Sequence, residues 1–476
     1  MTEKVKLKWN GKDIEAVKGS NLLQAALDNG QEVAHYCYHA GLSIAGVCRM
    51  CMVEQDGVPR PFPACNATCG EGMVVRNDTP KIKAAVENTL QFHLLNHPLD
   101  CPVCDQAGEC GLQDYYMKHG QYDSQMIDKK VHKEKVQDIG KNVMLDAERC
   151  ILCSRCTRFT EEVTKTFELG ILNRGDHAEI TVNEELKNDY AQNLVDICPV
   201  GALTSKDFRF KQRVWFLEEV YTTCIGCETG CSVKVSQNKN GAYRVKPVFD
   251  ETVNGHWMCD DGRQIYKHVS SPTRLQVASE NMNGLFVPAD ELNIKEAVKG
   301  KKAKFILSTS LTNQEYERFF HEVGSKAEVA LYTLPKLGAD FDGILKRGDK
   351  NANLRGAEHA FKKAGKDSTP AALDKLLNSI GSSDVVYVVV PEILYNEDHF
   401  NTLLTKIEKA SMRIALTPGE TLSSMKVFNY LLPVPSFLEK EGDIVNFSGD
   451  IRKLNAGLSY GETTKDISYY GNWVNV

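Results

Sequence analysis

The stretch RCILCSRCTRF (149–159) decides how the chain is read. Cys150, Cys153 and Cys156 follow one another with two residues between each. That spacing sets three thiols on one loop, as in the ligand run of a cubane iron–sulfur cluster; zinc ribbons prefer two paired CxxC knuckles. A run that serves two clusters adds a fourth Cys after three more residues, and here that position is Thr160. The missing Cys-Pro pair is Cys198-Pro199, in DICPVGALTSK (196–206). Cys150, Cys153, Cys156 and Cys198 therefore make one four-thiol set for one [4Fe–4S] cluster.

Working outward, the chain has sixteen cysteines, and Cys259 is the last of them in 476 residues. Disulfide scaffolds belong to short secreted chains, and gaps of two or three residues place thiols side by side for a metal. Toward the N-terminus lies Cys37-x10-Cys48-x2-Cys51-x13-Cys65, three thiols near one loop with a fourth from a later turn. Within it, YHAGLSIAGVCRMC (38–51) carries small residues and glycines that let backbone N–H groups approach sulfide. The arrangement suits a [2Fe–2S] cluster, with a zinc site as the rival and Cys69 as the rival to Cys65. Next comes His97-x3-Cys101-x2-Cys104-x5-Cys110. Three thiols need a fourth ligand for a [4Fe–4S] cluster, and spacing alone leaves His97 open between ligand and structural residue. An imidazole in place of a thiolate makes such a site one unit less negative. Last is Cys224-x2-Cys227-x3-Cys231-x27-Cys259, which fits a third [4Fe–4S] cluster or, taken alone, a four-cysteine zinc site. These sets use fifteen cysteines and His97, leaving Cys69 as an ordinary small thiol.

Patterning around the cysteines predicts the frame. Val5, Leu7 and Trp9 alternate with lysines, Asn10-Gly11 signals a type I′ hairpin, and Ile14 to Val17 returns. Ser20 is expected to cap a short helix with Leu22, Leu23, Ala26 and Leu27, ending at Gly30. Strands are expected at Met50 to Gln55 and Met73 to Arg76, with a helix from Thr79-Pro80 to His97-Pro98. The Lys-rich residues 118–141 read as a solvated connector. Farther on, apolar runs at Phe305 to Ser308, Val329 to Leu331, Val385 to Val390 and Ile414 to Leu416 alternate with helical stretches at 313–325, 370–379 and 396–409. That rhythm predicts a parallel α/β domain.

Composition narrows the class. A net charge of −6 argues against a nucleic-acid partner. No apolar run reaches the roughly 18 residues of a membrane span. The start, MTEKVKLKWN, carries no signal-peptide core, so the protein is expected to stay where it is made. No G-x-G-x-x-G follows a strand, and no P-loop, Ser/His/Asp grouping or HExxH occurs. Many redox sets without a substrate-site signal describe an electron wire, with no catalytic residue of its own.

The order of strand, hairpin, helix and cysteine loop at the start resembles plant-type ferredoxins, although these space their first cysteine pair more closely. Together with HPLDCPVCDQAGECGLQD (97–114), RCILCSRCTRF and DICPVGALTSK, it resembles the large iron–sulfur subunits of bacterial NADH:quinone oxidoreductase (respiratory complex I) over residues 1–270. The resemblance implies a multi-domain α+β and α/β chain. Its parts are a β-grasp [2Fe–2S] ferredoxin domain (1–80), a one-His/three-Cys segment (81–120), a ferredoxin-like [4Fe–4S] domain (140–217), a molybdopterin-oxidoreductase-type [4Fe–4S] domain (218–270) and a shortened α/β domain (271–476). It implies that His97 is an iron ligand, that one [2Fe–2S] and three [4Fe–4S] clusters are held, and that the fourth lies off the main electron path. The tail is similar to molybdopterin oxidoreductases at LLPVPSFLEKEGDIVNFSG (431–449), with too few residues to wrap a molybdopterin, so none is expected.

Implied partners are an NADH/FMN-binding subunit, a small [2Fe–2S] subunit, a ferredoxin-like subunit with two [4Fe–4S] clusters and, indirectly, a membrane arm. The implied place is peripheral, on the cytoplasmic side of the bacterial inner membrane. The rival readings are the diaphorase iron–sulfur subunit of an NAD-reducing hydrogenase, a formate dehydrogenase, an iron hydrogenase and a zinc-bearing interaction protein. A hydrogenase active site needs cysteines beyond Cys259, and none follows.

Overall fold

A computed structural model describes residues 3–120, 123, 126–324, 327–395, 397–420, 423–457 and 465–475. The chain divides into two compact units, Met1–Phe216 and Leu217–Val476. Both mix helices with sheets, so the chain is a multi-domain α+β protein.

The first unit opens with a five-stranded sheet in the order Lys12–Val17, Lys4–Trp9, Val74–Arg76, Met52–Gln55, Phe62–Pro63. Asn10 (φ 47°) and Gly11 (φ 80°) make the predicted turn, with the left-handed conformations a type I′ hairpin requires. Every second residue of the first strand faces inward, so Val5, Leu7 and Trp9 are buried with Leu22, Leu23 and Ala26 of the helix Leu22–Asp28. Asn21, not Ser20, caps that helix: its side chain accepts from Gln24 N at 3.0 Å, whereas Ser20 Oγ donates to Val17 O. Asn21 also donates to Cys65 O, which ties the cap to the cysteine turn and explains why a long-range contact displaced the local signal.

The helix Pro80–Leu94 starts at Thr79, whose hydroxyl accepts from Ile82 N, with proline in the first turn. It buries Ile82, Val86 and Leu90. The stretch 118–141 is not simply solvated. Lys130 donates to Leu94 O and Leu95 O at the end of this helix, and Lys135 pairs with Asp100 and Glu148. Residues 121, 122, 124 and 125 of that stretch lie outside the described residues. The rest of the unit is built from short pieces: the strands Val143–Leu145 and Leu203–Ser205, the hairpin Leu169–Leu172/Glu179–Val182, and the helices Arg155–Glu162 and Asn193–Ile197. Its core mixes Tyr36, Met50, Ile82 and Val200 with Cys37, Cys48, Cys110 and Cys153.

The second unit begins with a three-stranded antiparallel sheet, Glu218–Thr223, Ser232–Asn238 and Gly241–Pro247. A seven-stranded sheet follows in the order Leu285–Pro288, Ser279–Met282, Tyr430–Pro433, Met412–Thr417, Asp384–Val389, Lys302–Ser308, Glu328–Tyr332. The last five of these run parallel, as the alternation predicts. Successive residues feed opposite cores: Phe305 and Leu307, with Val385 and Tyr387, face one side, and Ile306, with Val386 and Val388, faces the other. The helices Glu291–Val298, Asn313–Glu322 and Leu354–Lys363 cover the first face, and Pro370–Asn378 and Glu397–Ile407 the second. Two of the predicted helical stretches include residues 325 and 396, which lie outside the described residues. The strand Tyr430–Pro433, the helix Leu354–Lys363 and the outer hairpin 279–288 had no clear periodic signal.

Candidate metal centres

The first set converges on the edge of the five-stranded sheet. Cys37, Cys48, Cys51 and Cys65 are all buried. Cys37 is hydrogen-bonded by the thiols of Cys48 and Cys65, which pulls its pKa down; the same contacts push Cys48 and Cys65 up. Crowded thiols of this kind cannot all ionise without a cation among them. Tyr36 N–H donates to Cys48 Sγ at 3.5 Å, and Gly46 (φ 64°) and Arg49 (φ 56°) bend the backbone around Cys48. Cys69 stands apart: it packs in the sheet core beside Ser20, and burial raises its thiol pKa.

In the second set, His97, Cys101, Cys104 and Cys110 line one cavity of about 780 Å³. Cys101 is exposed, and Cys104 and Cys110 are buried. His97 Nδ1 is buried with no hydrogen-bond partner in the polypeptide. Burial, helped by Lys130 and Arg149, brings the His97 pKa down to about 4, so the ring is neutral and a nitrogen is free to ligate. Segments distant in sequence close this loop. Arg213 donates to Cys104 O (2.6 Å) and Pro102 O, Phe210 N–H donates to Asp105, and Arg149 donates to Asp100 at 2.9 and 3.0 Å. A Cβ on Gly201 would overlap Cys104 Sγ, so only glycine fits there.

The third set, Cys150, Cys153, Cys156 and Cys198, gathers at the start of the helix Arg155–Glu162. The four thiols lie within electrostatic reach of one another, and burial pushes Cys150 up to about 12 and Cys153 up to about 11. Leu152 (φ 54°) and Ser154 (φ 60°) take left-handed conformations on either side of Cys153, and Leu152 N–H donates to Cys150 Sγ at 3.4 Å. Alternating turns of this kind aim successive N–H groups into one concavity.

The fourth set lies in the second unit, where Cys224, Cys227, Cys231 and Cys259 line one small cavity. Gly226 N–H donates to Cys224 Sγ and Gly262 N–H to Cys259 Sγ, both at 3.4 Å. Burial pushes Cys259 up to about 12 and Cys231 well above its ordinary value. Lys350 and Tyr395 line the same cavity, with Lys350 Nζ 4.9 Å from the Tyr395 ring centre. Neither carried a sequence signal, because both are far along the chain from the cysteines.

Each group of four thus comes together, with Cys69 outside. Among the described residues no three His, Cys, Asp or Glu side chains converge for a single metal ion. The all-thiol donor sets, the unpartnered His97 nitrogen and the N–H donors at sulfur suit iron–sulfur groups. The arginines that brace these loops were missed; the usable signal was basic residues interleaved with the cysteine run, at 149, 155 and 158.

Comparison with known proteins bears on the same segments. Family profiles match a 2Fe-2S iron-sulfur cluster binding domain at residues 2–80 and the NADH-ubiquinone oxidoreductase-G iron-sulfur binding region at 87–125. They match the NADH-quinone oxidoreductase subunit 3 ferredoxin-like domain at 140–204 and the molybdopterin oxidoreductase Fe4S4 domain at 217–271. The NADH-quinone oxidoreductase G subunit of Rickettsia felis is 37% identical over 289 residues, 60% of this chain and 42% of its own. The G subunit of Streptomyces coelicolor is 37% identical over 60% of this chain and 34% of its own. The mitochondrial NADH dehydrogenase [ubiquinone] iron-sulfur protein 1 of Solanum tuberosum is 40% identical over 54% of this chain and 35% of its own. The matches therefore span less than half the length of these relatives. A chain of an NAD+-reducing [NiFe]-hydrogenase crystal structure superposes with a TM-score of 0.40 at 26% identity, over 44% of this chain and 91% of that one. Iron–sulfur profiles thus match in series between residue 2 and residue 271, and over this part the chain is similar to the iron–sulfur region of NADH-quinone oxidoreductase G subunits.

Proposed function

We propose that the chain is the electron-relay subunit of an NADH:quinone oxidoreductase, taking electrons from an NADH/FMN-binding partner and passing them to a ferredoxin-like partner nearer the quinone. A bound iron–sulfur cluster supplies one-electron storage and release, with no bond made or broken in the protein. Cys37, Cys48, Cys51 and Cys65 hold a [2Fe–2S] group. His97, Cys101, Cys104 and Cys110 hold a [4Fe–4S] group, as do Cys150, Cys153, Cys156 and Cys198, and Cys224, Cys227, Cys231 and Cys259. The observation that carries the reading is that four groups of four donors absorb His97 and every cysteine except Cys69.

In this reading the domains run 1–80, 81–120, 140–217, 218–270 and 271–476, the last a scaffold without molybdopterin. The chain has no substrate site of its own. It docks peripherally on the cytoplasmic side of the inner membrane, beside a small [2Fe–2S] subunit and a ferredoxin-like one with two [4Fe–4S] clusters. Among the described residues no helix is long and apolar enough to cross a membrane.

The test is a metal count and low-temperature EPR of the anaerobically purified chain. The expected result is about fourteen irons and both cluster types, without stoichiometric zinc or molybdenum. Stoichiometric zinc, or a single cluster type, sinks the reading. The isolated chain should not oxidise NADH with an artificial acceptor; turnover without a flavin subunit would expose a missed site.

A further inference from the structure

The helix Arg155–Glu162 carries more than the third thiol set. Arg155 sits between Cys153 and Cys156. Its Nη1 donates to Ile197 O at 2.9 Å, the carbonyl just before Cys198. Its Nη2 donates to Tyr38 O, the carbonyl just after Cys37. One guanidinium therefore ties the backbone of the first set to that of the third. One turn along, Arg158 donates to Cys37 O and Ser43 O and back to Ser154. At the end of the helix, Glu162 accepts from Ser43 N at 2.8 Å. The helix is thus laced to the loop of the first set along its length.

Charge makes the arrangement informative. Every acceptor of both guanidiniums is a neutral carbonyl or hydroxyl. Arg158 is 8% exposed, and Arg155 Nε is out of contact with solvent and has no acceptor from the polypeptide. A cation held this way is costly unless an anion stands near it. The groups whose ionised form attracts Arg155 are cysteines of both sets, Cys153 and Cys198 on one side and Cys37 on the other, and ligation of iron is what holds such thiols as thiolates. Arg155 has spare positive charge, a spare donor, and one hand on each loop.

We propose that Arg155 is a positioning residue shared by the first and third centres, fixing one cysteine loop against the other and acting as counter-ion to both. This rests on the reading that both sets hold iron–sulfur groups. Arg155 itself gains no electron and gives up no proton; it sets the spacing and the field in which one electron leaves one centre and enters the other. Hydrogen bonds and charge just beyond the ligands are established levers on a bound centre.

The experiment is an EPR-monitored redox titration of the full iron-loaded chain, anaerobically, as wild type, Arg155→Met and Arg155→Lys. In Arg155→Met both the [2Fe–2S] signal and the third-set [4Fe–4S] signal should persist, with both midpoint potentials shifted to more negative values. The centres of the second and fourth sets should keep theirs. Arg155→Lys restores the charge and should return both potentials part of the way. A shift of one centre alone, or of neither, overturns the shared role. Should Arg155→Met not assemble, Arg155→Lys carries the test: unchanged potentials at both centres overturn the proposal. If the wild-type chain lacks either signal, the relay reading fails instead, so the two failures are distinguishable.

Discussion

The stretch 97–213 of the first unit and the seven-stranded sheet of the second reach order by different physics. Around the sheet, Phe305, Tyr387, Phe319 and Phe361 are buried in an apolar core that contains no cysteine. Burial of such side chains stabilises by roughly 1.5–3 kcal/mol each, whatever else is bound. In 97–213 the regular elements are short, and the shared core includes cysteine thiols, backed by buried charges such as Arg149 and Asp146. Thiols brought this close repel once ionised, so this region is finished by what the thiols bind. On the proposed reading, one part of the chain folds as a protein, and the other as a protein with its inorganic core.

The sharpest way to break that contrast is Cys156→Ser, or anaerobic removal of iron from the full chain. Structural metals contribute on the order of 10 kcal/mol to the segments that hold them. Amide exchange should speed up across the helix Arg155–Glu162 and the 190–205 segment, while the strand Asp384–Val389 stays protected. Equal loss of protection in both places would erase the distinction.

The reverse change is Phe305→Ala. Phe305 is fully buried and stacked on Tyr387 with ring centres 4.6 Å apart. Truncation should cost about 3–5 kcal/mol of the second unit's stability in denaturant titrations. Iron content and the EPR signals of the first unit should stay as they were.

A smaller effect tests a single fit. Gly201→Ala places a methyl against Cys104 Sγ and 3.1 Å from Gln106 Cβ. Overpacking of this kind costs about 1–3 kcal/mol. The EPR signal of the second set should broaden or vanish, and that of the third, whose Cys198 is three residues away, should persist.

The smallest concerns acid stability in the second unit. Burial alone would raise the Asp250 pKa, but hydrogen bonds from Arg452, Thr252 and Ser232 overcome it and bring the carboxyl down to about 2 from an ordinary 3.8. A lowered carboxyl pKa stabilises the fold above the unfolded value and loses that contribution as pH falls through the folded one. Asp250→Asn should therefore cost about 2 kcal/mol near neutral pH and flatten the acid limb between about pH 4 and pH 2. An unchanged acid limb would mean that the Asp250–Arg452 link contributes nothing to this unit.

Much of this was readable from local pattern. The Asn10-Gly11 turn, the Thr79 cap and the parallel strands at 305, 385 and 414 depend on residues within a few positions of one another, and each stands where periodicity puts it. The failures share a cause. Ser20 yielded to Asn21 because Asn21 also reaches Cys65 O, and the lysines of 118–141 found helix carbonyls and acids that only the fold brings near. Arg213, Gly201, Lys350 and Tyr395 stand beside thiols from which the chain separates them by dozens of residues or more.

The sequence by itself determined which donors are available and how they divide. Thiol chemistry is intrinsic to cysteine, and gaps of two or three residues leave few ways to arrange neighbouring sulfurs. Tertiary structure alone decided that Arg155 spans two sets and that the strand Tyr430–Pro433 joins the sheet beside Met412–Thr417. Those outcomes turn on which distant segments share a volume, and no local spacing encodes that.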